Sequence, residues 1–191
     1  MSEKEFYILG LCGSLRRNSY NMSLLKAVSE LLPQKVYMEI FSELEEIPLY
    51  NEDLHVSEEP EPVRRLKEAL SKCNALLIAT PEYNACIPAA LKNAIEWAGA
   101  VHHENPLKGK AVGIMGATPG PYGTVRAQLA LRQILYSTQS LVMLKPELFV
   151  SNVSMCFDEQ RHLVNKAVRD QLHNFILSLL LWSRKAALLA S

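Results

Sequence analysis

The chain has 191 residues, with 20 basic and 20 acidic side chains that leave no formal net charge at pH 7. That length suits one domain, residues 1–191, with a substantial core. The charge balance removes the electrostatic case for a nucleic-acid partner or an anionic membrane.

Phe6–Leu11 is continuously apolar and reads as a strand buried on both faces, the habit of parallel sheets. A polar loop, Gly13–Asn21, follows, and then Met22, Leu25, Val28 and Leu32 recur at helical spacing. A loop ending at a helix amino terminus favours an anion. Ser14, Ser19 and Asn21 add short polar groups there, and Arg16 adds a planar cation suited to phosphate. The plainer alternative is that Ser19 or Asn21 only caps the helix. Val36–Phe41 predicts a second strand, and Glu43–Pro62 a long connecting loop with Ile47–Tyr50 pinned to the body. Val63, Leu66 and Leu70 mark a helix ending near Lys72, which feeds a buried third strand, Ala75–Ala79.

The stretch Thr80–Trp97 organises the rest. It predicts a loop at the third strand's carboxyl end, stiffened by Pro81 and Pro88, then a helix starting near Cys86 with Pro88 in its first turn. Glu82, Tyr83 and Asn84 sit where a flat ligand edge would meet backbone amides and an aromatic face, unless the loop is a plain connection. Tyr83 is a candidate wall for a ring or substrate, or else only packs the loop. Glu82 reads as a cap or a solvated group, not as a catalytic acid. Cys86 reads first as a buried small residue, with a reactive thiol at a helix start as the alternative. Leu91, Ala94, Ile95 and Ala98 form the apolar stripe of this helix. His102 and His103 are adjacent but have no third ligand at useful spacing, so no metal site is expected.

Ala111–Met115 predicts a fourth strand that opens into Gly116–Thr124, the densest Gly and Pro cluster of the chain. The cluster matches neither GxGxxG nor the P-loop pattern. A helix over Val125–Tyr136 comes next, then a fifth strand over Leu141–Leu144 and Glu147–Val150, bent at Pro146. The last helix is expected to begin at Asp158 or Glu159, with Leu163, Ala167, Leu172, Phe175, Ile176, Leu179 and Leu180 as its apolar face. The repeated strand–helix order implies an α/β fold, a five-stranded parallel sheet with right-handed crossovers and helices on both faces. In a sheet of order 2-1-3-4-5 the loops after strands one, three and four meet at the switch point. The first suits a single phosphate and the other two a planar ring, the two ends of flavin mononucleotide (FMN).

Four cysteines, Cys12, Cys73, Cys86 and Cys156, show neither CxxC pairing nor zinc spacing and read as reduced thiols. The amino terminus lacks the marks of a signal peptide, and the late apolar run Phe175–Trp182 is too short to span a bilayer. The expectation is a soluble cytoplasmic protein.

These residues also carry a family resemblance. Gly13-Ser-Leu-Arg16 with Ser19 and Asn21, Ile47-Pro-Leu-Tyr-Asn51, Pro81-Glu-Tyr-Asn84 with Pro88, Leu91–Trp97, Asn105-Pro-Leu107, and Gly120 through Arg126-Ala-Gln128 to Leu131-Arg132 occur in order. In them the chain resembles the NADPH-dependent FMN reductases, a group that includes small quinone, azo-dye and chromate reductases. The resemblance implies that Ser14, Leu15, Arg16, Ser19, Tyr20 and Asn21 bind the FMN phosphate. It implies that Pro81, Glu82, Tyr83 and Asn84 line the isoalloxazine ring, with Thr118, Gly116 and Gly120 closing the third side. Arg126 and Arg132 match the motif and are assigned structural roles.

The implied reaction takes a hydride from NADPH or NADH through FMN to a small-molecule acceptor: a quinone, an azo compound, a flavin or a metal oxyanion. The flavin carries the chemistry, so no catalytic side chain is named. Relatives are generally dimers or tetramers, so a homodimer or homotetramer is expected. Two departures stand out. Thr124 replaces a usual glycine, and Ala85, Cys86 and Ala89 replace the more usual Tyr, Ser and Gly around Pro88. The alternatives are a flavodoxin-like electron carrier that does not turn over NAD(P)H, and an interaction module that has lost the flavin.

Overall fold

The computed structural model describes residues 5–57, 59–100 and 104–189. The apolar runs become Phe6–Cys12 (β1), Val36–Phe41 (β2), Ala75–Ala79 (β3) and Ala111–Ala117 (β4). β3 and β4 are buried at every position, as strands covered on both faces must be, whereas β2 alternates as an edge strand does. All pair in parallel in the order β2-β1-β3-β4, and the fifth position is shared by Leu141–Val142 (β5) and Leu148–Val150 (β6), both paired with β4. The bend expected at Pro146 is thus a break between two short strands. Arg132 fastens it, its Nη1 donating to the Met143 carbonyl at 2.9 Å while Nη2 faces Glu147 at 3.8 Å.

Helices cover both faces: Tyr20–Leu31 (α1), Glu52–Ser57 (α2), Glu61–Lys72 (α3), Ala89–Ala98 (α4), Val125–Ser137 (α5) and Lys166–Leu189 (α6). Successive strand residues point to opposite sides. Ile8, Leu77 and Met115 join Leu24, Val28, Phe175 and Leu179 in one core under α1 and α6. Leu9, Leu76, Ile78 and Ile114 join Val63, Leu66, Leu91, Trp97 and Leu131 in the other, under α3, α4 and α5. This is the flavodoxin-like three-layer arrangement.

Strand and helix ends shift by a residue or two, as β4 does in reaching Ala117, and three differences from the sequence reading are larger. The segment Glu43–Pro62 is not one loop, because it holds a 3-10 turn, Leu44–Glu46, and the short α2, whose start Asn51 caps through its side chain to Asp53 N–H at 3.0 Å. α4 begins at Ala89 rather than near Cys86. Pro88 is its N-cap in extended conformation, and the residues before it form a tight turn that no helix can include. α6 begins at Lys166 rather than at Asp158 or Glu159. Asn165 caps it, accepting Val168 N–H at 3.1 Å. Upstream, Phe157 and Leu163 bridge across a turn in which Arg161 has φ 69°. Leu163 is buried as expected but belongs to that turn, and Ala167 is exposed.

Ile47–Tyr50 is pinned to the body by α4. The Asn93 carboxamide accepts Tyr50 N–H at 2.7 Å and donates to the Pro48 carbonyl at 2.8 Å. Trp97 Nε1 donates to the same carbonyl at 2.8 Å, and the Tyr50 ring meets the Trp97 indole edge-on at 5.0 Å. Asn93→Ala is expected to destabilise the protein by about 2 kcal/mol, because it leaves a partly buried N–H without its acceptor. Thermal unfolding measures that loss. Limited proteolysis should show faster cleavage between Leu44 and Ser57, and an unchanged cleavage rate would contradict the pin.

Candidate functional site

The first loop leaves β1 at Gly13, whose N–H still donates to Ala79 carbonyl at 2.8 Å. Ser14 is buried, while Leu15 and Arg16 stand exposed on the crest. Ser19 caps α1, its hydroxyl accepting Met22 N–H at 3.4 Å. That bond uses one amide of the first turn and leaves those of Tyr20 and Asn21 with no acceptor inside the helix. The Asn21 side chain is a correction to the sequence reading. Its carboxamide is buried and spent on Ala117, donating to the carbonyl at 3.0 Å and accepting the N–H at 2.9 Å. Only its backbone remains free to meet a phosphate. Beneath the loop the Cys12 thiol lies 3.5 Å from Ser14 carbonyl. Burial pushes that thiol above its ordinary pKa, with hydrogen bonds to Ser14 and Ser19 opposing in part, so it stays protonated and inert.

In the second loop, Pro81 is buried and Glu82 turns inward, its side chain 9% exposed. The Glu82 carboxylate accepts the N–H of Arg126 at 3.0 Å and of Ala127 at 3.2 Å, and it also accepts Arg126 Nε at 2.6 Å. It therefore caps α5 from another loop. Arg126 completes an ion pair with it. Tyr83 and Cys86 exchange two backbone hydrogen bonds of 3.0 Å, with Asn84 and Ala85 left-handed between them at φ 50° and 63°. This hairpin holds the Tyr83 ring out, 44% exposed. Cys86 is also exposed, which corrects its reading as a buried residue; Cys12, Cys73 and Cys156 are buried. Burial raises the pKa of each of those three thiols. A thiol reagent at neutral pH should label Cys86 at least tenfold faster than the other three, as mass spectrometry of timed digests would show. Equal rates would contradict the exposure pattern.

Before the third loop, Gly116 lies within β4, and the space a side chain would need there is filled by Thr124 Oγ1 and Thr80 carbonyl. Thr124 is buried with φ −119°, so it needs no glycine, and its hydroxyl accepts Gln128 Nε2 at 3.1 Å. The departure from the family glycine is thus a packing substitution opposite Gly116. Thr118 stands half-buried at the rim, its hydroxyl accepting Gly120 N–H at 3.3 Å. Gly120 is open: an added Cβ would meet nothing nearer than Thr118 Oγ1 at 3.7 Å.

Every pair of these loops is tied. Ser14 Oγ and Tyr83 Oη are 3.4 Å apart, Asn21 holds Ala117, and Glu82 holds α5. The three loops are thus held together at the carboxyl ends of β1, β3 and β4. A cavity of about 700 Å³ lies elsewhere, at the strands' amino ends beside Phe6, Lys35, Lys110 and Ser183, and includes none of the residues expected to bind FMN. Among the described residues no three His, Cys, Asp or Glu cluster to hold a metal ion. His102 and His103 lie outside the described residues.

Residues 6–154 match the family model of NADPH-dependent FMN reductase. The chain belongs to this family. It is 39% identical over 178 residues to an NAD(P)H-dependent FMN reductase of Pseudomonas aeruginosa, covering 93% of this chain and 95% of the relative. It is 34% identical over 170 residues to a quinone reductase of Pseudomonas putida, covering 89% of this chain and 90% of the relative. The solved structure of the flavoenzyme NAD(P)H:(acceptor) oxidoreductase FerB from Paracoccus denitrificans superposes with a TM-score of 0.87 at 29% identity, covering 95% of this chain and 98% of that one. The matched span takes in all three loops of the FMN reductase fold and ends before the turn that carries Arg161. Sequence reasoning missed that arginine, because Leu163 keeps phase with the helical stripe downstream and hides the turn.

Proposed function

We propose that the chain is an FMN-dependent oxidoreductase that uses NADPH or NADH to reduce a small-molecule acceptor, with quinones as the first class. The observation that carries this reading is the pairwise tying of three loops where β1, β3 and β4 end. Ties of this kind hold a site in one geometry before a ligand arrives, which lowers the ordering cost of binding.

The residues present fit FMN. The amides of Tyr20 and Asn21 at the start of α1, with Ser14 and Arg16 alongside, suit its phosphate. The exposed Tyr83 ring, the Pro81–Asn84 backbone and the open face at Gly120 suit a planar ring. Bound FMN would supply the hydride acceptance from NAD(P)H and the electron delivery to the acceptor. The chain's own work is to orient and to stay rigid. Glu82 is committed to capping α5 and Asn21 to clamping β4, so neither moves a proton. Tyr83 serves as the wall against which the ring or the acceptor rests.

The acceptor class extends to azo compounds, flavins and metal oxyanions, since the exposed Tyr83 ring and the open face at Gly120 impose little selection by shape. A homodimer or homotetramer is part of the proposal. It is supported by exposed Val125, Leu129 and Tyr136 along one side of α5. The proposed location is the cytoplasm. Among the described residues no helix is long and apolar enough to cross a membrane.

The direct test of the site is to add FMN to the purified protein, remove free flavin by gel filtration and record the absorption spectrum. The proposal expects near-stoichiometric retained flavin. Retention no better than for an unrelated protein would end it.

A further inference from the structure

A second polar cleft, of about 290 Å³, opens between α1 and the Phe157–Leu163 turn. Its lining carries three fixed cations, Arg17, Lys26 and Arg161, against one carboxylate, Glu30, while His162 also lines it with its ring Nδ1 3.3 Å from the Asp158 carboxylate. Ser19 also lines it, so the cleft abuts the loop proposed for the FMN phosphate. From there it runs along one side of α1 through Met22 and Lys26 to Glu30. At 1.5 Å per residue that is about 16 Å, more than one phosphate group needs.

The turn is shaped to present Arg161, while it keeps the His162 ring against Asp158. Asp158 accepts Arg161 N–H through its carbonyl at 3.0 Å and His162 N–H through its carboxylate at 2.8 Å. Arg161 adopts φ 69°, a left-handed conformation that is unfavourable for a non-glycine residue. The guanidinium lies over the Tyr20 ring, 4.1 Å from its centroid, beside the first turn of α1. Its Nη1 is buried and has no hydrogen-bond partner among the described residues. A buried guanidinium N–H left unmet is costly, and an anion is its natural partner.

We propose that this cleft binds a phosphate monoester dianion, with Arg161 as the principal ligand and Lys26 and Arg17 as supporting charges. Two nucleotides of the proposed reaction carry such a group: FMN at its 5′ end, whose phosphate at the first turn of α1 would then also meet Arg161 above Tyr20, and NADPH at its 2′ position, where NADH has a hydroxyl. The proposal rests on the reductase reading only for the choice of these probes. In the second case the cleft determines the preference for NADPH over NADH.

The test compares the full chain with Arg161→Gln and with Lys26→Gln, an exposed position whose loss leaves the fold intact. Affinities for FMN and riboflavin are measured by flavin fluorescence, and KM for NADPH and NADH in the FMN-loaded enzyme. Arg161→Gln is expected to weaken the phosphate-bearing member of one pair about tenfold to a hundredfold and to leave its phosphate-free partner unchanged. Lys26→Gln should give a smaller, salt-dependent loss in the same pair. A changed FMN-to-riboflavin ratio identifies FMN as the source, and a changed NADPH-to-NADH ratio identifies NADPH. Both ratios unmoved in both variants would overturn the proposal, as would equal loss of both members of a pair. If the unaltered chain holds no flavin, the reductase reading fails by itself and the cleft is tested with inorganic phosphate. The rise in melting temperature that phosphate produces must then vanish in Arg161→Gln, and its persistence would overturn the site.

Discussion

Gly116→Ala is expected to lower the melting temperature by about 6–12 °C, the shift that about 3 kcal/mol of overpacking produces in a chain of this size. The added methyl would overlap Thr124 Oγ1 and lie 2.5 Å from the Thr80 carbonyl oxygen, and neither neighbour can yield cheaply. Thr124 is fully buried, and its hydroxyl is already engaged by Gln128. Thr80 sits at the end of β3, its N–H bonded to Met115 carbonyl at 3.0 Å. Pushing either one moves the second loop against the third, so FMN retention should fall together with stability. The contact is isolated by a second substitution. Thr124→Gly in the Gly116→Ala background removes one of the two clashes and should restore part of the loss, a coupling readable as a double-mutant cycle. Strict additivity would show that the two residues do not meet.

Glu82→Ala is expected to cost about 2 kcal/mol and to weaken FMN binding about tenfold, although Glu82 performs no chemistry. Its carboxylate meets the first-turn N–H groups of Arg126 and Ala127, where a negative charge is favoured by the helix dipole and where loss of a cap is costly. It is also the link between the second and third loops. Without it the two loops must be ordered by the ligand, and about 1.4 kcal/mol of ordering is a factor of ten in affinity. Arg126→Gln is the informative contrast. Its guanidinium is 65% exposed, so that change removes a largely solvated ion pair worth under about 1 kcal/mol and keeps both amide caps. If Arg126→Gln weakened FMN as much as Glu82→Ala, the ion pair rather than the cap would hold the loops.

What could be read from the sequence divides along physical lines. β1, β3 and β4 announce themselves as unbroken apolar runs, because a strand covered on both faces has no polar side to show. α1 and α3 follow from spacing. α2 does not, since six residues are too few to establish a helical period. The start of α4 is not legible, because Pro88 is compatible both with a first turn and with the N-cap it occupies; the hairpin at Asn84 and Ala85 decides between them. The site shows the same division. Its residue types and their clustering after strands one, three and four are legible, but the side-chain pairings are not. Asn21 and Ala117 are 96 residues apart, Glu82 and Arg126 are 44 apart, and no local pattern couples them. That is why no sequence pattern shows that the Asn21 side chain clamps Ala117 or that Thr124 packs against Gly116.

The measurement that tests the central claim most directly is anaerobic mixing of FMN-loaded protein with NADPH, and in parallel with NADH, followed at the flavin absorption band, then addition of a quinone. The account predicts fast bleaching of the bound flavin by at least one nicotinamide and its return on quinone addition, over repeated turnovers. Flavin that stays bound and oxidised with both nicotinamides would contradict the reductase and leave a flavodoxin-like carrier in its place.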